Sequence, residues 1–245
     1  MKPLTTLFAT VLLCASLLAS HASAAVMLYG TRFVYNASEK EQRIRLSHEG
    51  KGPLLVQAWL DDGTEKPLTQ QKVPFAITPP IFRINEGQGQ VLRVRYTGEA
   101  MPQDRESVYY LNVLEIPPKP ETDSKNMLQL ALRTRVKFFF RPAALAEAPQ
   151  ELGKQLSMSV EKAGNRYVVR VDNPTPYHAS FLNAHAVSAG KRIELVSDMV
   201  PPFASATFDA VPGATLPARI DQVDFSLIND IGATLSDSKV PHALP

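Results

Sequence analysis

Apolar and polar residues alternate at every second position in segment after segment of this chain. The pattern runs from Arg43-Ile44-Arg45-Leu46 to Val223-Asp224-Phe225-Ser226-Leu227. A period of two sends successive side chains to opposite faces, so each segment reads as a strand with one face on a core. Leu92, Val94 and Tyr96 alternate with Arg93 and Arg95, and Tyr167, Val169 and Val171 with Val168 and Arg170. Turn chemistry separates these runs, as in Glu86-Gly87-Gln88-Gly89 and Asn173-Pro174-Thr175-Pro176. Short strands at close spacing predict an all-β sandwich architecture rather than βαβ units. Residues 143–152 alone are Ala/Glu-rich without β-branched residues, where a hinge between two sandwiches would lie.

The first 24 residues are of another kind. Lys2 precedes an apolar stretch from Leu7 to Leu18, and Ala22-Ser23-Ala24 precedes Ala25. This predicts a secretory signal peptide cleaved after Ala24, too short to be a membrane span. Cys14 is the only cysteine, and Leu13 before it is not the small residue that a lipidation signal requires. The exported chain is therefore expected to lack thiols and disulfides. No later apolar run could span a bilayer, so the expectation is a periplasmic protein that is not membrane-inserted. The remainder, about 220 residues, fits one large β domain or two of roughly 100 each.

Charge and motifs narrow the function classes. Residues 25–145 carry 17 basic and 13 acidic residues, and residues 146–245 carry 8 and 11. That is too mild for a nucleic-acid partner, which needs a clustered basic face. His48, His178, His185 and His242 lack metal-site spacing, and there is no G-x-S-x-G elbow and no nucleotide-binding glycine loop. No catalytic residue, metal or cofactor is expected.

The segment Met101-Pro102-Gln103-Asp104-Arg105-Glu106-Ser107, followed by Val108-Tyr109-Tyr110-Leu111-Asn112-Val113-Leu114-Glu115-Ile116-Pro117, is the most specific motif. It resembles the signature of the periplasmic pilus-assembly chaperones of the chaperone–usher pathway. Further landmarks are Ala25 to Arg32, Gln57-Ala58-Trp59, Thr78-Pro79-Pro80, Lys137-Phe138-Phe139-Phe140-Arg141-Pro142-Ala143, Asn173 to Tyr177 and Ile228-Asn229-Asp230. The short, cysteine-free stretch 118–126 is similar to the family's short-loop branch.

The resemblance implies two immunoglobulin-like sandwiches, residues 25–145 and 146–245, set as a boomerang around an interdomain cleft. It implies an ATP-independent chaperone that caps pilus subunits by donor-strand complementation and delivers them to an outer-membrane usher. The donor strand would present Leu128, Leu130 and Leu132 on one face. Their full burial in a subunit groove is worth about 5–9 kcal/mol before association costs. Arg32 and Lys137 correspond to the pair that anchors the subunit's C-terminal carboxylate. Glu106, Arg141 and Asp230 correspond to ion pairs between the domains, Arg93 to a residue facing the usher, and Thr78-Pro79-Pro80 to a site with a cis bond. An empty donor edge is expected to self-associate as a self-capping homodimer.

Two expectations carry tension. Lys137 has the opposite strand parity to the leucines, which calls for a bulge or an approach from the strand edge. Alternation alone also fits a second reading, a two-domain exported binding module. In such a module the three leucines would be permanently buried core.

Overall fold

The computed structural model describes residues 25–119, 129–145, 148 and 150–243. The signal-peptide expectation and Leu128 fall outside the described residues. Two separate hydrophobic cores organise the chain, one built by residues 26–140 and the other by residues 152–227.

The first sandwich packs two sheets. One orders β1 (Val26–Leu28), β3 (Gln42–His48), β7 (Gly89–Tyr96) and β5 (Phe75–Thr78). The other orders β2 (Arg32–Asn36), β9 (Leu132–Arg141), β8 (Ser107–Ile116), β4 (Leu54–Asp61) and β6 (Ile81–Ile84). The alternation read from sequence is the burial pattern: Ile44, Leu46, Leu92 and Val94 are buried, while Arg43, Arg45, Arg93 and Arg95 are exposed. Phe75, Tyr35, Phe138 and Phe140 add an aromatic centre, with Phe75 edge-on to Phe138 at 5.2 Å between ring centroids. The Thr78–Pro79 bond is cis.

Between the cores lie a turn after Arg141 and one short helix, α1 (Leu152–Gln155). The second sandwich holds β10 (Ser157–Ala163), β11 (Arg166–Asn173), β12 (Ala179–Ser188), β13 (Lys191–Val196), β14 (Met199–Val200), β15 (Ala204–Ala210), β16 (Gln222–Ile228), β17 (Thr234–Lys239) and β18 (His242–Ala243). Its two faces are continuous, because β13 pairs with both β12 and β15. Val223, Phe225 and Leu227 fill the core as their spacing predicts. In β11 the alternation is broken, since Val168 is buried along with Val169 and Val171. In β12 the register shifts between Phe181 and Asn183, which turns Leu182 outward at 54% exposure. Among the described residues no helix is long and apolar enough to cross a membrane.

Candidate functional site

The site grows from β9. Its partner on one side is β8, in unbroken antiparallel register from Glu115 opposite Leu132 to Ser107 opposite Phe140. On the other side β2 joins in parallel, but only from Arg32 opposite Lys137 onward. Among the described residues, the β9 edge from Leu132 to Val136 therefore has no strand beside it. Backbone groups on such an edge are ready to pair with another chain.

The side chains of β9 sort by parity. Val136, Phe138 and Phe140 face the core of the first sandwich, and Leu132 continues that row outward at 48% exposure; Leu130, expected in the donor strand, lies just before β9 begins, at 72% exposure. Arg133, Arg135, Lys137, Phe139 and Arg141 occupy the opposite face. No register shift interrupts the ladder, so the bulge invoked to bring Lys137 onto the leucine face is absent. The two groups simply serve opposite faces of one regular strand.

The outer row is not uniform in its partners. Arg135 binds Asp61 at 2.5 Å and lies over Tyr110, and Arg133 lies over Trp59 and donates to the Asn112 side chain at 2.8 Å. Burial pushes Asp61 up, but the bonds from Arg135 and Asn112 outweigh it and hold the carboxyl below its ordinary range.

Arg32 and Lys137 are different. They are neighbours across the β2–β9 ladder, and neither has a carboxylate at ion-pair distance among the described residues. Arg32 is 8% exposed, its Nη1 donates to the Ile228 carbonyl at 2.7 Å, and its Nε has no partner. Burial lowers the affinity of both groups for protons; at Lys137 attraction from Asp198 opposes that fall, and repulsion from Arg32 adds a smaller push downward. Among the described residues, carboxylates act on these two neighbouring cations only from beyond ion-pair distance, Asp230 and Glu106 on Arg32 and Asp198 on Lys137. Arg32 opens onto an interdomain cavity of about 460 Å³, lined also by Phe139, His178, Ile228 and Asn229. Gly232 of the second sandwich approaches Thr31, whose hydroxyl would stand 2.6 Å from an added Cβ.

Glu106 joins the two sandwiches beside this cavity. Its Oε1 accepts from Arg141 Nε at 2.9 Å and Nη2 at 2.6 Å. Its Oε2 accepts from the His178 backbone N–H at 2.8 Å and lies 3.2 Å from His178 Nδ1. The Glu106 N–H in turn donates to the Pro176 carbonyl at 2.9 Å. Arg141 Nη1 reaches Asp230 Oδ2 at 2.9 Å and lies over Tyr177. Burial alone would raise the Glu106 carboxyl, but the bonds from His178 and Arg141 more than reverse it. The sequence motifs point to Glu106, Arg141 and Asp230 but not to His178. The Asn173-Pro174-Thr175-Pro176-Tyr177 turn, tied by Asn173 Nδ2 to the Tyr177 carbonyl at 2.7 Å, is what presents His178. A histidine directly after that turn was the available signal.

With its two sandwiches and an open strand edge leading to two neighbouring cations, the chain belongs to the pilus-assembly chaperones. Residues 25–146 match the family model described as pili and flagellar-assembly chaperone, PapD N-terminal domain, and residues 151–239 match that of pili assembly chaperone PapD, C-terminal domain. Among individual relatives, it is similar to the probable fimbrial chaperone YadV of Escherichia coli K12, 38% identical over 88% of this chain and 89% of that one. It is also similar to the chaperone protein HifB of Haemophilus influenzae, 37% identical over 94% and 93%. Among solved structures, the Salmonella enterica SafB chaperone in complex with the SafA pilin aligns with a TM-score of 0.73 at 27% identity, over 90% of this chain and 98% of that one.

Proposed function

We propose that this chain is a periplasmic, ATP-independent chaperone that caps pilus subunits by lending them the strand around residues 128–132. The observation that carries the reading is the open edge of β9, with Leu130 and Leu132 exposed beside it and Arg32 and Lys137 at its closed end. In a plain binding module those leucines would be core. Burying the exposed fraction of the two is worth roughly 2–4 kcal/mol, with backbone pairing along the edge adding to it.

Direction follows from topology. Because β2 runs parallel to β9 and starts at Arg32, an incoming strand on the open edge lies end to end with β2. Its C-terminus meets Arg32 and Lys137 only if it too runs parallel to β9. The carboxylate then takes charge-assisted hydrogen bonds from the guanidinium and the ammonium. Anchoring that end sets the register along the leucines.

The same reading assigns residues 1–24 to a cleaved export leader, 25–145 to the strand-donating domain and 146–245 to the second sandwich. Glu106, Arg141 and Asp230 hold the two in their relative position. Delivery to an outer-membrane usher fits the exterior of the four-stranded sheet. Arg43 lies directly opposite Arg93 there, and Glu41 binds Arg43 and Arg95 but forms no bridge to Arg93. Like charges across a ladder favour an acidic partner. Without a subunit, two copies would pair through their open edges as a self-capped homodimer.

The test is periplasmic co-expression with a cognate fimbrial subunit, comparing wild type with an Arg32→Ala, Lys137→Ala double variant. The expected result is a soluble equimolar complex with wild type only, and a variant at least as stable as wild type, since its two partly desolvated charges are gone. Equal complex formation by both proteins would remove the anchor, and no complex with either folded protein would return the binding-module reading.

A further inference from the structure

Glu115 is a buried carboxylate that the subunit site does not use. It follows Leu111 and Val113 on the core face of β8 and lies opposite Leu132, where the donor row leaves the core. It is 4% exposed. Its Oε2 accepts from the Val26 backbone N–H at 3.1 Å, and its Oε1 has no hydrogen-bond partner. Burial pushes its proton affinity up by more than the Val26 and Ala25 backbone groups and the nearby His48 of β3 lower it, and among the described residues it forms no ion pair. The His48 ring is itself engaged, with Nε2 at 2.7 Å from the Gly52 carbonyl. A buried carboxylate with half its lone pairs idle is a costly arrangement.

The residue beside it is Ala25. Its carbonyl accepts from the Glu49 N–H at 2.7 Å and lies 2.9 Å from His48 Nδ1. A Cβ added at Gly50 would stand 2.8 Å from the Ala25 Cβ, so the chain packs closely on one side of Ala25. The Ala25 backbone nitrogen lies near enough to the Glu115 carboxylate to favour its charged form. As a peptide nitrogen it brings one N–H and no charge. As a chain terminus it brings three N–H groups and a full positive charge.

We propose that the α-ammonium of Ala25, released by cleavage after Ala24, is the missing partner of Glu115, so that processing completes the first core beneath the donor row. This rests on reading residues 1–24 as a cleaved leader. The leader-bearing precursor holds an uncompensated carboxylate under Leu132, and the processed chain holds a buried ion pair. Full stability of the donor strand's root is thereby withheld until export is finished.

The experiment compares chains made to begin at Ala25 by removal of a cleavable fusion, with the α-amine free, acetylated, or extended by Gly-Ser. Thermal midpoints are read for each, in wild type and in Glu115→Gln. The free amine is expected to melt about 4–8 °C above both blocked forms, and the gap to vanish in Glu115→Gln. Equal midpoints for free and blocked wild type overturn the proposal, as does a gap that persists without the Glu115 charge. A second readout covers a Glu115 variant that fails to fold. In folded wild type the α-amine should react with an acylating reagent at least tenfold more slowly than in urea, and equal rates overturn the proposal. The intact mass of exported protein judges the cleavage site separately. A start other than Ala25 refutes that site, and with it the pairing in the cell, whatever the purified chains show.

Discussion

Arg141 offers the sharpest separation of a strong contact from a weak one. Its side chain is 2% exposed and bridges two carboxylates of unequal burial, Glu106 at 3% and Asp230 at 36%. Arg141→Ala strands Glu106 as a buried, half-paired anion, and losses of this kind cost about 3–5 kcal/mol. Asp230→Ala removes a hydrated partner and leaves the Glu106 bonds in place, which places its cost at or below about 1 kcal/mol. At roughly 2–4 °C per kcal/mol for a chain of this size, the expected drops in thermal midpoint are about 6–20 °C and under about 4 °C. An Arg141→Met, Glu106→Gln pair removes both charges and should recover at least half of the Arg141→Ala loss, because no buried charge is left unpaired. Differential scanning calorimetry and urea unfolding measure all of these. An Asp230→Ala loss equal to that of Arg141→Ala would refute the reasoning, since the solvent-facing bridge would then carry the tie between the sandwiches.

Two further outcomes follow from the site. Leu130→Glu, at a position 72% exposed, should leave the thermal midpoint within about 2 °C of wild type while abolishing co-purification of a subunit; an unfolded variant would show that Leu130 is core. Stability should fall with acid through Glu106. Its carboxyl is held below the ordinary range, so its contribution is present above about pH 4.3 and is lost as pH drops through the lower folded-state value. Midpoints measured from pH 7 to pH 3 should therefore fall more steeply for wild type than for Glu106→Gln.

The sheet faces were legible because alternation is a local signal: Ile44, Leu92 and Phe225 each announce their side through immediate neighbours. Leu182 was not, because a one-residue shift against β16 is decided by pairing with a distant strand. The same divide runs through the site. The motif around Lys137 and the one around Arg32 identify two cations, but only the parallel register of β2 and β9 shows them to be neighbours. Glu106 was recognisable within its signature, and its bonds to His178 were not, since they join residues 72 positions apart. Parity alone suggested a conflict between Lys137 and the leucines. Of the two ways out that parity allowed, the regular ladder leaves the approach from the strand edge, since a strand added there has access to both faces.

The abrupt arrival of β2 beside Lys137 also makes the open edge a gauge. If the proposed anchor holds the client's end, a subunit that has lost its last residue, or gained one, could not seat its terminal carboxylate and keep its side chains in phase with the leucines, because each position along a strand reverses the face presented. An error of two residues keeps the phase but displaces the end by about 7 Å. On the proposed anchoring role of Arg32 and Lys137, the dead end of the edge would thus discriminate client chains by the completeness of their last residues.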